Sequence, residues 1–143
     1  MRHPEPMRIV RLAATLLIVG VALVGCGAEE EKPKPTAQEK FCAAYRDFYE
    51  RSSSNPEASE TEVVSRMKDF ADTLDDLEAP EEMSKEAKKG METWIELIGD
   101  LPDDATQADV IAQNSELSKK KAAWLRAYSD FGNVFCLSNA AAG

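Results

Sequence analysis

Residues 36–49 read TAQEKFCAAYRDFY and contain the features that decide the fold of this chain. Thr36 and Glu39 have the spacing of a capping box, in which the threonine oxygen accepts from the N–H of residue 39 and the glutamate accepts from the N–H of residue 36. Behind the box, aromatic residues recur at helical spacing: Phe41, Tyr45, Phe48 and Tyr49. The stretch predicts an amphipathic helix that ends near residue 52, with Cys42 at the edge of its apolar face.

Two further helices follow from the same signals. A second capping box, Ser59 with Glu62, predicts the start of helix two, and Pro80 predicts its end. The acidic residues 81–82 suit the positive end of a helix dipole and predict the start of helix three.

A fourth helix is predicted from a cap at Asp103 or Asp104 to about residue 131. Its apolar stripe is interrupted by Asn114 and Lys121, which predicts a break near Asn114. Residues 132–133, Gly-Asn, predict a C-terminal cap, after which the chain returns to the body of the domain.

Four amphipathic helices with short connections predict an all-α fold, an antiparallel up-down-up-down four-helix bundle. No run of alternating apolar residues indicates a strand. In this topology the start of helix one and the end of helix four lie at the same end of the bundle.

The N-terminal part has the layout of a secretory signal. Arg8 and Arg11 precede a run of 13 apolar or small residues, 12–24. This run is shorter than the roughly 20 apolar residues that a membrane-spanning helix needs. The ending LVGC at residues 23–26 resembles a bacterial lipobox. The resemblance implies cleavage between Gly25 and Cys26 and acylation of Cys26, with palmitate-type chains that anchor the protein to the extracytoplasmic face of the cell membrane. Translation from Met1 or from Met7 gives the same mature protein.

The resulting domain organisation has four parts. Residues 1–25 are a cleaved signal peptide, 26–35 a lipidated extended tether, 36–137 the helical domain and 138–143 a frayed tail. The tether prediction rests on the charged, proline-containing sequence GAEEEKPKP at residues 27–35. With Cys26 acylated, Cys42 and Cys136 remain as an even pair in an exported protein, which predicts a disulfide between them.

Charge and histidine content limit the function. The chain has net charge -9, and the segment before Cys26 is net positive, so the mature part is more acidic still. Such a surface repels phosphate backbones and excludes nucleic acid as a partner. His3 is the only histidine and lies in the cleaved segment. A mature protein without histidine cannot contain a Ser–His or Cys–His nucleophilic pair, or zinc or haem bound by histidine. We therefore expect no enzyme activity, no catalytic residue, no metal and no cofactor.

Lys121 and Asn114 are the candidate ligand-facing polar residues, because both fall on the apolar stripe of helix four. One interpretation is that the Lys121 stem packs while its ammonium reaches water. The other is a polar site between helices that receives an anionic ligand or a carboxylate.

Phe41-Cys42 near the start, L-E-A-P-E at residues 77–81 and Phe135-Cys136 at the end resemble small exported helical lipoproteins of actinobacteria. That resemblance implies no particular activity. We expect a membrane-anchored binding or protein-interaction module of the cell envelope, with an unknown envelope protein as partner. The alternative is a carrier that binds a small molecule within the bundle, which a cavity lined by Met67, Met91, Trp94 or Trp124 would favour.

Overall fold

A computed structural model describes residues 32–139 of the chain. The predicted signal peptide, its predicted cleavage site after Gly25 and the predicted acylation site Cys26 lie outside the described residues, as do most of the predicted tether and the last four residues. Residues 32–36 are exposed and form no regular secondary structure. The packing reported below lies within the compact unit that begins at Pro35.

The described residues form five α-helices and one terminal π-helix. The α-helices are α1 (Ala37–Ser54), α2 (Glu60–Asp75), α3 (Lys85–Gly99), α4 (Gln107–Ser115) and α5 (Lys119–Phe131), and the π-helix is Gly132–Ser138. No strand occurs in residues 32–139, so the prediction of an all-α fold is confirmed. No helix in this range is long and apolar enough to cross a bilayer.

Both predicted capping boxes are present. The N–H of Thr36 donates to the Glu39 carboxylate at 2.7 Å, and the N–H of Glu39 donates back to the threonine oxygen at 3.2 Å. The equivalent distances between Ser59 and Glu62 are 2.8 and 3.3 Å. These bonds satisfy backbone donors that a helix start leaves without partners, and they fix where α1 and α2 begin.

The link between α2 and α3 differs from the prediction. Helix α2 ends at Asp75, before Pro80 is reached, and residues 81–82 form a turn instead of starting α3. The cap of α3 is Ser84, whose hydroxyl accepts from the N–H of Ala87 at 3.1 Å. Pro80 is fully buried in the connection, and its carbonyl accepts from the N–H of Met83 at 3.1 Å. The turn is therefore held by a packed proline, a role that the periodicity of the flanking residues does not reveal.

The predicted fourth helix is divided in two. Helix α4 ends at Ser115, and α5 begins at Lys119, with the Ser118 hydroxyl accepting from the N–H of Lys121 at 3.2 Å. The break predicted near Asn114 is confirmed. The cap of α4 is Thr106 rather than residue 103 or 104.

Asp103 has a different role from the predicted cap. Its carboxylate accepts from the Lys68 ammonium at 2.7 Å, and that ammonium also donates to the Leu101 carbonyl at 2.8 Å. The bond ties the loop after α3 to α2. At the start of α4, which follows this loop, the N-cap residue Thr106 donates its N–H to the Asp109 carboxylate at 2.7 Å.

Two groups of buried side chains form the core. The first joins α1, α2, α3, α5 and the π-helix through residues that include Phe41, Leu74 and Tyr128. The second lies among α2, α3 and the loop that follows α3, and includes Val64 and Ile98. Trp94 is partly buried and packs against both groups. The aromatic face predicted for α1 is therefore core, with Tyr49 as its exposed edge.

The predicted disulfide joins Cys42 of α1 to Cys136, with the two Cα atoms 4.9 Å apart. Helix α5 ends at Phe131 with Gly132 as its C-cap residue, as predicted, but the backbone of Gly132 is right-handed helical and the chain continues into the π-helix. Side-chain contacts with α1 accompany this path. Asn133 Oδ1 accepts from the phenol groups of Tyr45 and Tyr49, at 3.1 and 3.3 Å.

Candidate binding groove

A groove with a volume of about 440 Å³ opens among the helices, and all five α-helices contribute to its lining. We call it the aromatic groove. Its lining residues are Tyr45, Phe48, Tyr49, Phe70, Trp94, Leu97, Val110, Ile111, Asn114, Ala122, Leu125, Arg126, Tyr128 and Ser129. Its size falls in the range of about 300–1,000 Å³ that is usual for small-molecule sites.

The aromatic side chains of the groove are held by one another and by the core. Phe48 stacks on Phe70 with ring centroids 4.5 Å apart. Tyr45 packs edge-on against Phe70 at 6.0 Å and against Tyr128 at 6.4 Å. Each of these four rings, Tyr45, Phe48, Phe70 and Tyr128, packs against at least one other aromatic ring, so that this part of the lining is preformed by packing within the protein.

Helix α4 contributes the most lightly packed part of the lining. None of its nine residues is buried. Val110, Ile111 and Asn114 line the groove, and Ile111 is 69 % exposed, which is unusual for a large aliphatic side chain. Burying that surface would be favourable, at about 25 cal/mol per Å² of apolar area. A ligand in the groove is one way to bury it.

Two groove residues carry buried polar atoms that lack a hydrogen-bond partner. Among residues 32–139, neither the indole Nε1–H of Trp94 nor the hydroxyl of Tyr128 has one. Native proteins pair nearly all buried polar groups, because an unpaired group costs about 1–3 kcal/mol in lost solvation. Both residues line the aromatic groove. The two unpaired atoms are themselves buried, and they belong to residues whose side chains form part of the groove wall.

The hydroxyls of Tyr45 and Tyr128 remain protonated at physiological pH. Burial raises the pKa of Tyr128 well above its ordinary value. Burial also raises the pKa of Tyr45, with a smaller contribution from the neighbouring Tyr49 hydroxyl. Removal from water disfavours the charged phenolate, so these hydroxyls stay neutral hydrogen-bonding groups.

The candidate polar residues of helix four lie in different depressions. Asn114 lines the aromatic groove and is exposed. Lys121 lines a separate depression of about 260 Å³, where its ammonium lies 3.5 Å from the Glu96 carboxylate. The Lys121 side chain is 41 % exposed, so its ammonium reaches solvent. The structure does not bring the two residues together in one site.

The tryptophan residues are also separated. Trp94 lines the aromatic groove, whereas Trp124 lies outside the lining and has the ammonium groups of Lys89 and Lys120 over its ring, at 4.9 and 5.3 Å from the centroid. Met67 and Met91 are not part of the lining either. Of the four residues named for a cavity, one lines the groove.

Sequence reasoning missed the groove face of α5. Ala122, Leu125, Arg126 and Ser129 line the groove, and they follow the i, i+3, i+4, i+7 spacing of one helix face. This row lies beside the apolar stripe through Trp124 and Tyr128. This face mixes small, polar and apolar residues, and that mixture is the sequence feature that could have indicated a groove lining.

The groove offers an apolar cavity, unpaired hydrogen-bonding groups and one guanidinium, a combination suited to holding a small molecule. No group of three or more potential metal-ligating side chains occurs among the described residues. Comparison with family models, curated proteins and solved structures gives no significant match to this chain.

Proposed function

We propose that this protein is a lipid-anchored extracytoplasmic carrier that binds a small, mainly apolar molecule in the aromatic groove. The observation that carries the proposal is the groove itself, with unpaired polar groups on two of its lining residues, Trp94 and Tyr128. A ligand that accepts a hydrogen bond would satisfy these groups.

The proposed action is binding rather than catalysis. The part of the chain after Cys26 contains no histidine. A nucleophile in this protein would therefore lack the commonest general base, and Ser129 is the only serine that lines the groove. Aromatic walls that are held in place by packing can retain a ligand without any chemical step.

The anchoring and topology belong to the same proposal. The LVGC sequence at residues 23–26 supports acylation of Cys26, and the charged residues that follow support a tether. An up-down-up-down arrangement is supported by the Cys42–Cys136 bridge, which joins the first turns of α1 to the end of the chain. In the five-helix chain, α4 and α5 together would take the place of the fourth helix.

A protein-interaction module of the envelope is the second candidate, and the exposed Ile111 favours it. In that case the partner would contact the surface of α4 rather than the interior of the groove. The two candidates differ in which side chain matters: Ala122 inside the groove for a carrier, Ile111 at its edge for a protein partner.

Binding of the neutral fluorescent compound N-phenyl-1-naphthylamine to the full chain, purified from its host membrane into lipid nanodiscs, tests the carrier. The Ala122→Phe variant fills the groove with a ring and should weaken binding at least about tenfold. Ala123→Phe adds the same ring at an exposed neighbouring position outside the lining and should bind like the wild type.

Fluorescence of empty nanodiscs is subtracted, and circular dichroism checks that each variant is folded. Binding no stronger than that of empty nanodiscs, or equal binding by a folded Ala122→Phe variant, would contradict the carrier. If Ala122→Phe does not fold, Ala122→Leu fills the groove with a smaller side chain. Ile111→Ser is then the comparison, because it removes an exposed apolar side chain at the edge of the groove. Weaker binding in Ala122→Leu with little change in Ile111→Ser supports an interior site.

The anchor is tested separately. Replacing Cys26 by Ala should abolish labelling with a clickable fatty acid and block maturation between Gly25 and Cys26. A Cys26→Ala variant that still takes up the fatty-acid label, or that is still cleaved between residues 25 and 26, would show that the lipobox interpretation is wrong.

A further inference from the structure

The charge of the aromatic groove is opposite to that of the chain. The sequence has 26 acidic and 17 basic residues. The groove lining contains no acidic residue, and its one charged residue is Arg126. The lining therefore contains one cation that can pair with an anion and no carboxylate that would compete for it.

Arg126 has no ionic partner in the described part of the chain. No carboxylate of residues 32–139 lies within 4.0 Å of its guanidinium, as is the case for most basic side chains in this range; Arg51, Lys68 and Lys121 are the ones with such a partner. Arg126 is exposed, so its donors are accessible from solvent. A guanidinium presents its N–H groups in a planar fork that matches a carboxylate, and such pairs are often bidentate.

The unpaired groups deeper in the lining can act as donors. An indole N–H, such as that of Trp94, donates and cannot accept, whereas the Tyr128 hydroxyl can do either. A ligand with acceptor oxygens therefore suits them better than one with N–H groups alone. The remaining lining is mostly aromatic and aliphatic, which requires an apolar body.

We propose that the ligand of the aromatic groove is a small amphipathic monoanion, with an apolar or aromatic body and one carboxylate that binds Arg126. This inference rests on the proposed carrier function and names the class of its ligand. One guanidinium balances one negative charge. A phosphate dianion would bring a second negative charge for which the lining offers no second cation.

Displacement of N-phenyl-1-naphthylamine from the full chain in nanodiscs, by 4-phenylbutyrate and by 4-phenylbutan-1-ol, tests the class of ligand. The two compounds share an apolar body and differ in the charge of the head group. In the wild type, 4-phenylbutyrate should bind about fivefold more tightly, as expected for an ion pair at an exposed position. In Arg126→Gln the ratio of the two dissociation constants should fall to about one.

Lys119→Gln is the matched control, because it removes one positive charge from the same helix at an exposed position outside the groove lining. It should keep the preference for the carboxylate. Equal binding of the two compounds by the wild type, or a preference that Arg126→Gln retains, would overturn the inference and leave the carrier standing. Failure of both compounds and of the fluorescent compound to bind would overturn the carrier itself.

Discussion

Gly90 sets how closely α3 and α5 approach each other. A Cβ atom at this position would overlap the backbone carbonyl of Trp124 and the Cβ of Tyr128. Backbone atoms cannot rotate away as the end of a side chain can, so an added methyl group must push the helices apart. Because Tyr128 lines the aromatic groove, the absence of a side chain at Gly90 also helps to place a wall of the site.

Gly90→Ala should therefore destabilise the fold by about 1–3 kcal/mol, the usual cost of overpacking. For a domain of this size, that corresponds to a decrease in Tm of at least about 4 °C. Thermal unfolding followed by circular dichroism measures it. Gly99→Ala is the control on the same helix, because a Cβ there meets nothing within 4 Å. The control should melt at or slightly above the wild-type temperature, since Ala favours helix. Equal melting of Gly90→Ala and wild type would show that the two helices are not closely packed.

Helix starts show how far local sequence predicts structure. Thr36 with Glu39 and Ser59 with Glu62 are complete capping boxes, and both mark the true start of a helix. At Ser84 the pattern is incomplete, because Ala87 stands where an acidic residue would complete the capping box. The acidic residues 81–82 instead suggested a helix start too early in the chain.

The π-helix was not predicted, because Gly-Asn commonly ends a helix. In this protein the chain continues as a π-helix after Gly132, and the side chain of Asn133 accepts hydrogen bonds from α1.

The capping box of α2 predicts a pH dependence. Hydrogen bonds from the Ser59 backbone and hydroxyl hold the pKa of Glu62 below its ordinary 4.5. Since the pKa in the folded state is lower than in the unfolded state, the stabilisation is present above pH 4.5 and is lost as pH falls through the folded value. Glu62→Gln keeps an acceptor oxygen without the charge.

We expect Glu62→Gln to melt below the wild type at pH 7 and the difference to disappear as the pH is lowered past 4.5. Asp109→Asn, at the start of α4, should behave in the same way below pH 3.8, because the Thr106 backbone and hydroxyl lower the pKa of Asp109. Melting temperatures measured from pH 7 to pH 3 test both variants. A difference that stays constant over this range would contradict the linkage.

The disulfide connects elements that are distant in sequence. Cys42 and Cys136 are separated by 94 residues, and the chain-entropy model gives roughly 4–5 kcal/mol for a loop of about this length. Each helix also has its own cap or buried face, neither of which depends on the sulfur atoms.

The Cys42→Ala/Cys136→Ala variant should keep its helical circular dichroism at room temperature and melt at least about 8 °C below the oxidised protein, even if half of the model value is realised. Wild-type protein treated with a reductant is the matched comparison. An unchanged Tm would show that the bridge does not contribute to stability. Loss of helicity at room temperature would show that the core alone cannot hold the fold.

At the scale of the molecule, the sequence predicts an aromatic interior but not its cavity. Phe48, Phe70 and Trp94 have the spacing of core residues, and the same spacing serves a side chain that packs solidly and one that lines a groove. The cavity arises from the way in which five helices pack together, and the apolar stripe of a single helix does not specify that packing. Asn114 was identified because it interrupts an apolar stripe, whereas Arg126 lies on a neighbouring face and was missed.

The two tryptophans provide an internal comparison for ligand binding in the groove. Trp94 lines the groove, and its indole N–H has no partner among the described residues. Trp124 lies outside the lining, beneath the ammonium groups of Lys89 and Lys120. Each indole gives one N–H cross-peak in the NMR spectrum of the full chain labelled with ¹⁵N-tryptophan, and Trp124→Phe assigns them.

Titration of the nanodisc-held protein with 4-phenylbutyrate, followed by these two cross-peaks, tests the central claim most directly. The account predicts that the Trp94 indole cross-peak shifts and saturates as the phenyl body of the ligand fills the groove that Trp94 lines, while that of Trp124 stays in place. Two stationary cross-peaks, or a shift confined to Trp124, would contradict a small-molecule site in the aromatic groove.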